Sequence, residues 1–362
     1  MKGLNDYYKN NSKTKKIKKS FSPSINKKID VKSINSNTIK SVKLCNNNLL
    51  SLLINKDNDI TCKSYKDKDT INYLLNNLKS SKKLNVSEFI APKQLLANCW
   101  FNTMFVTFFF SDKGRKFFRF FRNLMITGKK YDKTKIENEK IRKLLFKLNL
   151  FIEASYNQKN TDLYSQINKL TNNLNTNFFI KEIYDEINDK NLENSIPNIK
   201  DAGNPIMYYK TIMTYLNYDV LKILNINITS KLNIYKLITY KFQNNIYISD
   251  IIIIEDFESK SIYKLEYKIK KNNKIYNYKL DAIIITNKDH FDENANSHFV
   301  SVATINNKEY KFDGSSYSKL SLFNWKKLIN KNIDWTFKEN PNYHPEKYNF
   351  TKGYKLLFYY RV

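Results

Sequence analysis

From residue 99 to about 216, apolar side chains recur at three- and four-residue steps, the period of a helix. In "SDKGRKFFRFFRNLMITG" (111–128), Phe117, Phe120, Phe121, Leu124 and Met125 share one face. This predicts a helix with Asp112 as N-cap and Gly128 as its C-terminal stop. Arg115, Arg119 and Arg122 share another face, which reads as solvated and basic. "CWFNTMFVTFF" predicts a buried helix capped by Asn98, "KIRKLLFKLNLFIEASY" and "DLYSQINKLTNNL" continue the pattern, and Pro205 stands where a first helical turn tolerates it. Beyond Tyr218 the period falls to two. "NIYISDIIIIEDFE", "SIYKLEYKIK", "KIYNYKLDAIIIT", "HFVSVATI" and "EYKFDG" predict strands, with "KNN" and "NNK" as turns between pairs of them. "SLFNWKKLIN" looks helical ahead of a last strand, "GYKLLFYYRV".

Helices first and strands second imply an α+β fold, with a helical lobe over 99–216 and an antiparallel β lobe over 217–362. Residues 1–43 are Lys, Asn and Ser with isolated aliphatics and read as a disordered basic arm. Residues 44–88 form a mixed lead-in, and Pro92 breaks the local structure near the start of the 89–362 domain.

Composition changes this picture little. The chain has 362 residues, 41% hydrophobic, enough for one large core. Its formal net charge is +28, and the first 45 residues hold twelve Lys against Asp6 and Asp30. Such a chain attracts polyanions, nucleic acid included, without a recognition motif to make the contact specific. The greasiest runs are too short to span a bilayer, so no membrane partner is expected. Cys45, Cys62 and Cys99 form no C-x-x-C pair. Their odd number and wide spacing argue against a disulfide framework and a cysteine-rich zinc site, and for a reducing, intracellular, cytoplasmic setting; no metal or cofactor is expected.

The candidate chemistry begins at "QLLANCWFNTMF" (94–105). A thiolate is favoured at a helix N-terminus and beside an imidazolium, and Cys99 heads a predicted helix. Of three histidines, His344 lies in the loop-like "NYHPEKY" and His290 in the polar "NKDHFDENANS". His298 opens an alternating strand that turns at Asn306–Asn307 and returns towards Asp313. Such a hairpin lets a carboxylate hold one imidazole nitrogen while the other faces a thiol. Cys99, His298 and Asp313 therefore form a nucleophile–base–orienter set. Gln94, five residues before the cysteine, is the candidate oxyanion donor; Asn98 is the alternative, with capping as its preferred role.

These residues carry a family resemblance. The order Cys–His–Asp, a glutamine upstream and a histidine heading a late hairpin resemble the papain-like cysteine proteases. Within that group the chain looks most like the ubiquitin-specific proteases (ubiquitin carboxyl-terminal hydrolases), in a divergent form such as large DNA viruses encode. "ANCWFNT" stands where the family has a box like N-T-C-Y-M-N-S, aligning Cys99, Trp100, Asn102 and Thr103. "AIIITNKDHFDENANSHFVSVATINNKEYKFDG" is similar to the family's histidine box, with His290 as the earlier, non-catalytic histidine and His298 as the catalytic one. "GYKLLFYY" matches a common closing strand. The chain departs where "APKQLLA" replaces a glycine-bearing lead-in, Gln94 replaces an asparagine, Ser297 a glycine, and Gly314 a second aspartate. "KDAGNP" barely resembles the family's Q-D-A-x-E-F segment, and Cys-rich zinc fingers are missing.

The resemblance implies a papain-like fold over 89–362 and a thiol isopeptidase cleaving after the C-terminal glycine of ubiquitin or a ubiquitin-like modifier, in host cytoplasm or virion. The arginines of ubiquitin's tail would need local acids on a basic enzyme. Asp289, Asp292 and Glu293, and Glu255, Asp256 and Glu258, are the clusters expected to supply them. Two alternatives stand beside this: a papain-like protease of viral or structural polyproteins, and an inactive basic virion or nucleic-acid-associated protein.

Overall fold

A computed structural model of the chain describes residues 42–45, 48–56, 59–79, 84–95, 98–156, 165–167, 176–187, 205–217, 221–228, 233–257, 261–287, 298–315, 319–337 and 346–362. The basic arm up to residue 41, most of "DLYSQINKLTNNL", Glu258, Asp289, His290, Asp292, Glu293, Ser297 and His344 lie outside the described residues. Among the described residues no helix is long and apolar enough to cross a membrane.

The chain opens with strands β1 (Leu44–Cys45), β2 (Asn48–Lys56) and β3 (Asp59–Ser64), which form an antiparallel three-stranded sheet, and helix α1 (Lys68–Lys79). A helical layer follows: α2 (Cys99–Phe109), α3 (Gly114–Phe117), α4 (Arg119–Thr127), α5 (Glu139–Ala154), α6 (Thr176–Ile187) and α7 (Pro205–Tyr215). The rest is β4 (Ile223–Ile228), α8 (Ile234–Asn244), β5 (Ile251–Asp256), β6 (Glu266–Lys271), β7 (Lys274–Thr286), β8 (Phe299–Ile305), β9 (Lys308–Phe312), β10 (Leu320–Leu322) and β11 (Lys355–Arg361). These eight strands form one sheet in the order β10-β9-β8-β7-β11-β5-β4, with β6 also paired to β7. The architecture is mixed α and β, helices largely before the sheet.

Alternate side chains of the central strands fill two cores. Ile251, Ile253, Ala282, Ile284, Phe299, Ala303, Leu356 and Phe358 pack with the helical layer. Ile252, Ile254, Ile283, Ile285, Val300, Val302, Leu357 and Tyr359 pack on the other face, with α8 and the segment around Trp325 and Trp335. A strand buried on both faces reads as a continuous apolar run, which explains "DAIIIT" and "KLLFYY".

Several expectations need correction. The β region is not wholly antiparallel: β4 runs parallel to β5. A parallel pair needs a crossover, and α8 supplies it, capped by Asn233, whose Oδ1 accepts the Lys236 N–H at 3.2 Å. "SLFNWKKLIN" forms a short strand and one 3-10 turn (Trp325–Lys327). Residues 44–79 join the main core through Leu44, Leu52, Ile54 and Leu74, with α1 against α4 and β2 against α5. Cys45 and Cys62, on the outer strands of the small sheet, form a disulfide, against the expectation of unpaired thiols. Cys99 is the free cysteine.

The predicted helix over 111–128 breaks at Phe118. It ends as expected at Gly128, in the left-handed region at φ 63°. Arg122 is buried rather than solvated; it pairs with Glu153 and donates through Nε to Asn149 Oδ1 at 3.1 Å. Asp112 is not a cap. Its N–H donates to Thr304 O at 2.8 Å, while its carboxylate accepts the N–H groups of Asn306 and Asn307 at 2.9 and 2.8 Å. Those asparagines form the β8–β9 turn with φ of 49° and 62°, as a two-residue turn of this hand requires. Asp112 therefore ties the end of α2 to the far end of β8, so that the two elements lie side by side with their N-termini together. Replacing it with Ala leaves two turn N–H groups without their acceptor. A loss of about 1–3 kcal/mol is expected in urea unfolding.

Candidate active site

Cys99 is the first residue of α2, where unpaired backbone N–H groups and the helix dipole favour negative charge. The helix packs across β8 and β7, and Cys99 is buried at its N-terminal end. His298 immediately precedes β8, and Asp313 immediately follows β9. Because Ser301 pairs with Phe312, the hairpin sets His298 beside the turn after β9. His298 Nε2 lies 2.7 Å from Asp313 Oδ1, and the Cys99 side chain is close enough to His298 to help hold a proton on its ring. The structure thus puts His298 and Asp313 in direct contact, with Cys99 near enough to the ring to influence its charge.

Burial works against charge on the His298 ring, but the bonds and charges of Asp313 and Cys99 outweigh it and push its pKa up to about 10. Burial likewise opposes the Asp313 carboxylate, and His298 with the Ser315 N–H and hydroxyl, both at 2.8 Å, holds its pKa below the usual value. An imidazolium held between a carboxylate and a thiol is the arrangement that activates a sulfur nucleophile.

The two oxyanion candidates differ. Asn98 makes no side-chain cap; its Oδ1 accepts the Leu95 N–H at 3.2 Å, and its Nδ2 donates to Thr176 Oγ1 at 2.8 Å. This corrects the capping role and leaves its amide committed within the protein. Gln94 donates its backbone N–H to Gly314 O at 3.1 Å, next to Asp313. Its side-chain Oε1 is buried without a partner among the described residues.

The acidic candidates also divide. Glu255 and Asp256 are buried rather than facing a groove. Glu255 Oε1 accepts the Tyr354 hydroxyl at 2.7 Å, and Asp256 pairs with Lys355 at 3.5 Å and with the Tyr263 hydroxyl. Asp289, Asp292, Glu293 and Glu258 fall outside the described residues.

Sequence reasoning missed Tyr348 and Glu346. Trp335 and Tyr348 exchange two backbone hydrogen bonds of 2.9 Å, and the buried Tyr348 hydroxyl donates to Glu346 Oε2 at 3.0 Å. Burial first, then Glu346 and Asp313, push the Tyr348 pKa up, with Cys99 contributing. The sequence draws attention to the histidine of "NYHPEKY", while it is the last tyrosine whose hydroxyl is sensitive to the charges of Asp313 and Cys99.

No family model matches the sequence, and no curated protein does either. Solved structures do. The chain is similar to a chain of the SAGA Ubp8/Sgf11/Sus1/Sgf73 DUB module bound to ubiquitin aldehyde, at 10% identity over 86% of this chain and 81% of that one, with a TM-score of 0.47. The same module without that ligand in its description matches at 10% identity over 86% and 80%, with a TM-score of 0.42. A yeast SAGA DUB module carrying a variant Sgf73 matches at 9% identity over 86% and 80%, with a TM-score of 0.41. The likeness is remote in sequence.

Proposed function

We propose that this protein is a papain-like cysteine peptidase acting as a deubiquitinase-type isopeptidase. The observation that carries the reading is the Cys99–His298–Asp313 chain: a thiol at a helix N-terminus, a ring with its pKa raised to about 10, and a carboxylate 2.7 Å from that ring. In the reaction His298 holds the thiol proton while the sulfur attacks the carbonyl carbon of the scissile bond. The oxyanion rests on the Cys99 backbone N–H and the Gln94 amide. His298 then returns the proton to the leaving amine, and the acyl-enzyme is hydrolysed by a water that the same ring deprotonates.

The ubiquitin part of the reading rests on the sequence resemblance. A ubiquitin derivative with a reactive C-terminus is expected to label the wild-type chain on Cys99 and to leave Cys99→Ala unlabelled, as read by intact mass. A folded wild-type chain that stays unlabelled while Cys99 alkylates rapidly with a small electrophile refutes ubiquitin as substrate and leaves the thiol chemistry standing.

The burial of Glu255 and Asp256 favours a second reading, cleavage of another protein at an internal site by the same three residues. Mapping new N-termini after incubation with candidate proteins separates the two. Cuts after glycine at modifier junctions support the first, and defined internal cuts support the second.

A further inference from the structure

Gly314 follows Asp313 directly, and positive φ is found at Gly128 and Gly353, not here. What a side chain at 314 would press against is Asn102. A Cβ built there would lie 3.2 Å from Asn102 Nδ2 and 3.3 Å from Asn102 Cβ, inside ordinary van der Waals separation. Asn102 belongs to α2, one turn after Cys99, and is wholly buried. Neither atom of its amide has a hydrogen-bond partner among the described residues. A buried amide without partners is destabilising, and an apolar residue of similar size would avoid that cost.

The turn at 313–315 meets three residues around the nucleophile. Asp313 Oδ1 meets His298, Gly314 O accepts the Gln94 N–H, and the bare Cα of Gly314 faces Asn102. We propose that Asn102 is a positioning residue, the spacer between the nucleophile helix and the turn that carries the acid. It thereby sets the approach of Cys99 to His298. Asn102 and Gly314 are a matched pair, the volume absent from one being filled by the other. This rests on the thiol-peptidase reading of the site, since the spacer matters only if the sulfur–imidazole separation does. Displacements of this order at a reacting centre carry large rate effects: about 1 Å of misplacement costs about a hundredfold.

The test is a double-variant cycle in the full chain: Asn102→Ala, Gly314→Ala and both together. The readout is the rate of Cys99 alkylation by iodoacetamide across a pH series, with folding followed by circular dichroism. No substrate is needed. Each single variant is expected to slow alkylation at neutral pH about three- to tenfold and to displace the pH profile. The double variant is expected to recover most of that loss, because the methyl at 314 enters the space vacated at 102. Single effects that simply multiply in the double variant overturn the proposal, as does an unchanged profile in folded single variants. If Gly314→Ala misfolds, the double variant decides: folding and reactivity regained support the spacer, and a double variant still misfolded overturns it. A wild-type Cys99 with the sluggish, undisplaced pH profile of an ordinary thiol would instead sink the peptidase reading.

Discussion

Asp313→Asn is expected to lower kcat/KM by about 10³–10⁴-fold while leaving the chain folded. The reason is the tautomer. Asp313 accepts from His298 Nε2, which keeps a proton on that nitrogen and leaves the other to serve the thiol. An asparagine amide can turn its NH₂ towards Nε2, which then acts as acceptor, and the ring's remaining proton moves to the nitrogen facing Cys99. That nitrogen no longer accepts from sulfur. The variant also loses a negative partner that helps raise the His298 pKa to about 10. The alkaline limb of the kcat/KM profile, where the imidazolium is lost, should therefore move to lower pH. A pH series of hydrolysis or probe-labelling rates measures both effects, and an unmoved alkaline limb would contradict the assignment of Asp313.

Stability carries the same signature. A folded-state His pKa of about 10 against an ordinary 6.5 means that the native chain keeps a proton the unfolded chain has released. Stabilisation from His298 is complete below about 6.5 and is lost as pH rises through about 10. The lowered Asp313 pKa works in the opposite sense, stabilising above the ordinary carboxylate value and fading as pH falls through the folded value. The pair supports the fold between those limits, and Asp313→Asn should flatten unfolding free energy against pH across the upper one.

Much of this site was legible because each residue sits at a punctuation point of secondary structure. Cys99 begins a helix, His298 precedes a strand, and Asp313 ends a hairpin whose Asn–Asn turn is visible in the sequence. The strands β7, β8 and β11 were legible because burial on both faces leaves unbroken apolar runs. What escaped depends on partners distant along the chain. Arg122 looks solvated on its helix until Glu153 arrives from α5, and Glu255 looks like an open acid until Tyr354 closes over it. Helix α8 was hidden by its Ile and Tyr content, which favours strands, although Ile234, Ile238 and Phe242 are buried at helical spacing. The Cys45–Cys62 bond needs the register of a three-stranded sheet that a 17-residue spacing does not announce.

The buried pair at Arg122 is where the largest loss of stability is expected. Arg122 and Glu153 are both almost fully enclosed, and Asn77 Nδ2 donates to the second carboxylate oxygen at 3.1 Å. Burial raises the Glu153 pKa, opposed by Arg122 and Asn77. Arg122→Met leaves a carboxylate with neither solvent nor counter-charge, and a loss of about 3–5 kcal/mol is expected in urea unfolding near neutral pH. The pH dependence has a definite sign. A carboxyl with a folded pKa above its unfolded value favours the native state at low pH and loses that advantage as pH rises through the folded value. Removing the arginine raises that value further, so the deficit of Arg122→Met should grow from acid towards neutral pH. Adding Glu153→Leu should recover most of the loss and abolish the added slope, because apolar groups of similar volume replace a buried ion pair at little cost. If Arg122→Met unfolds with wild-type energetics at all pH values, the helical layer does not depend on this pair.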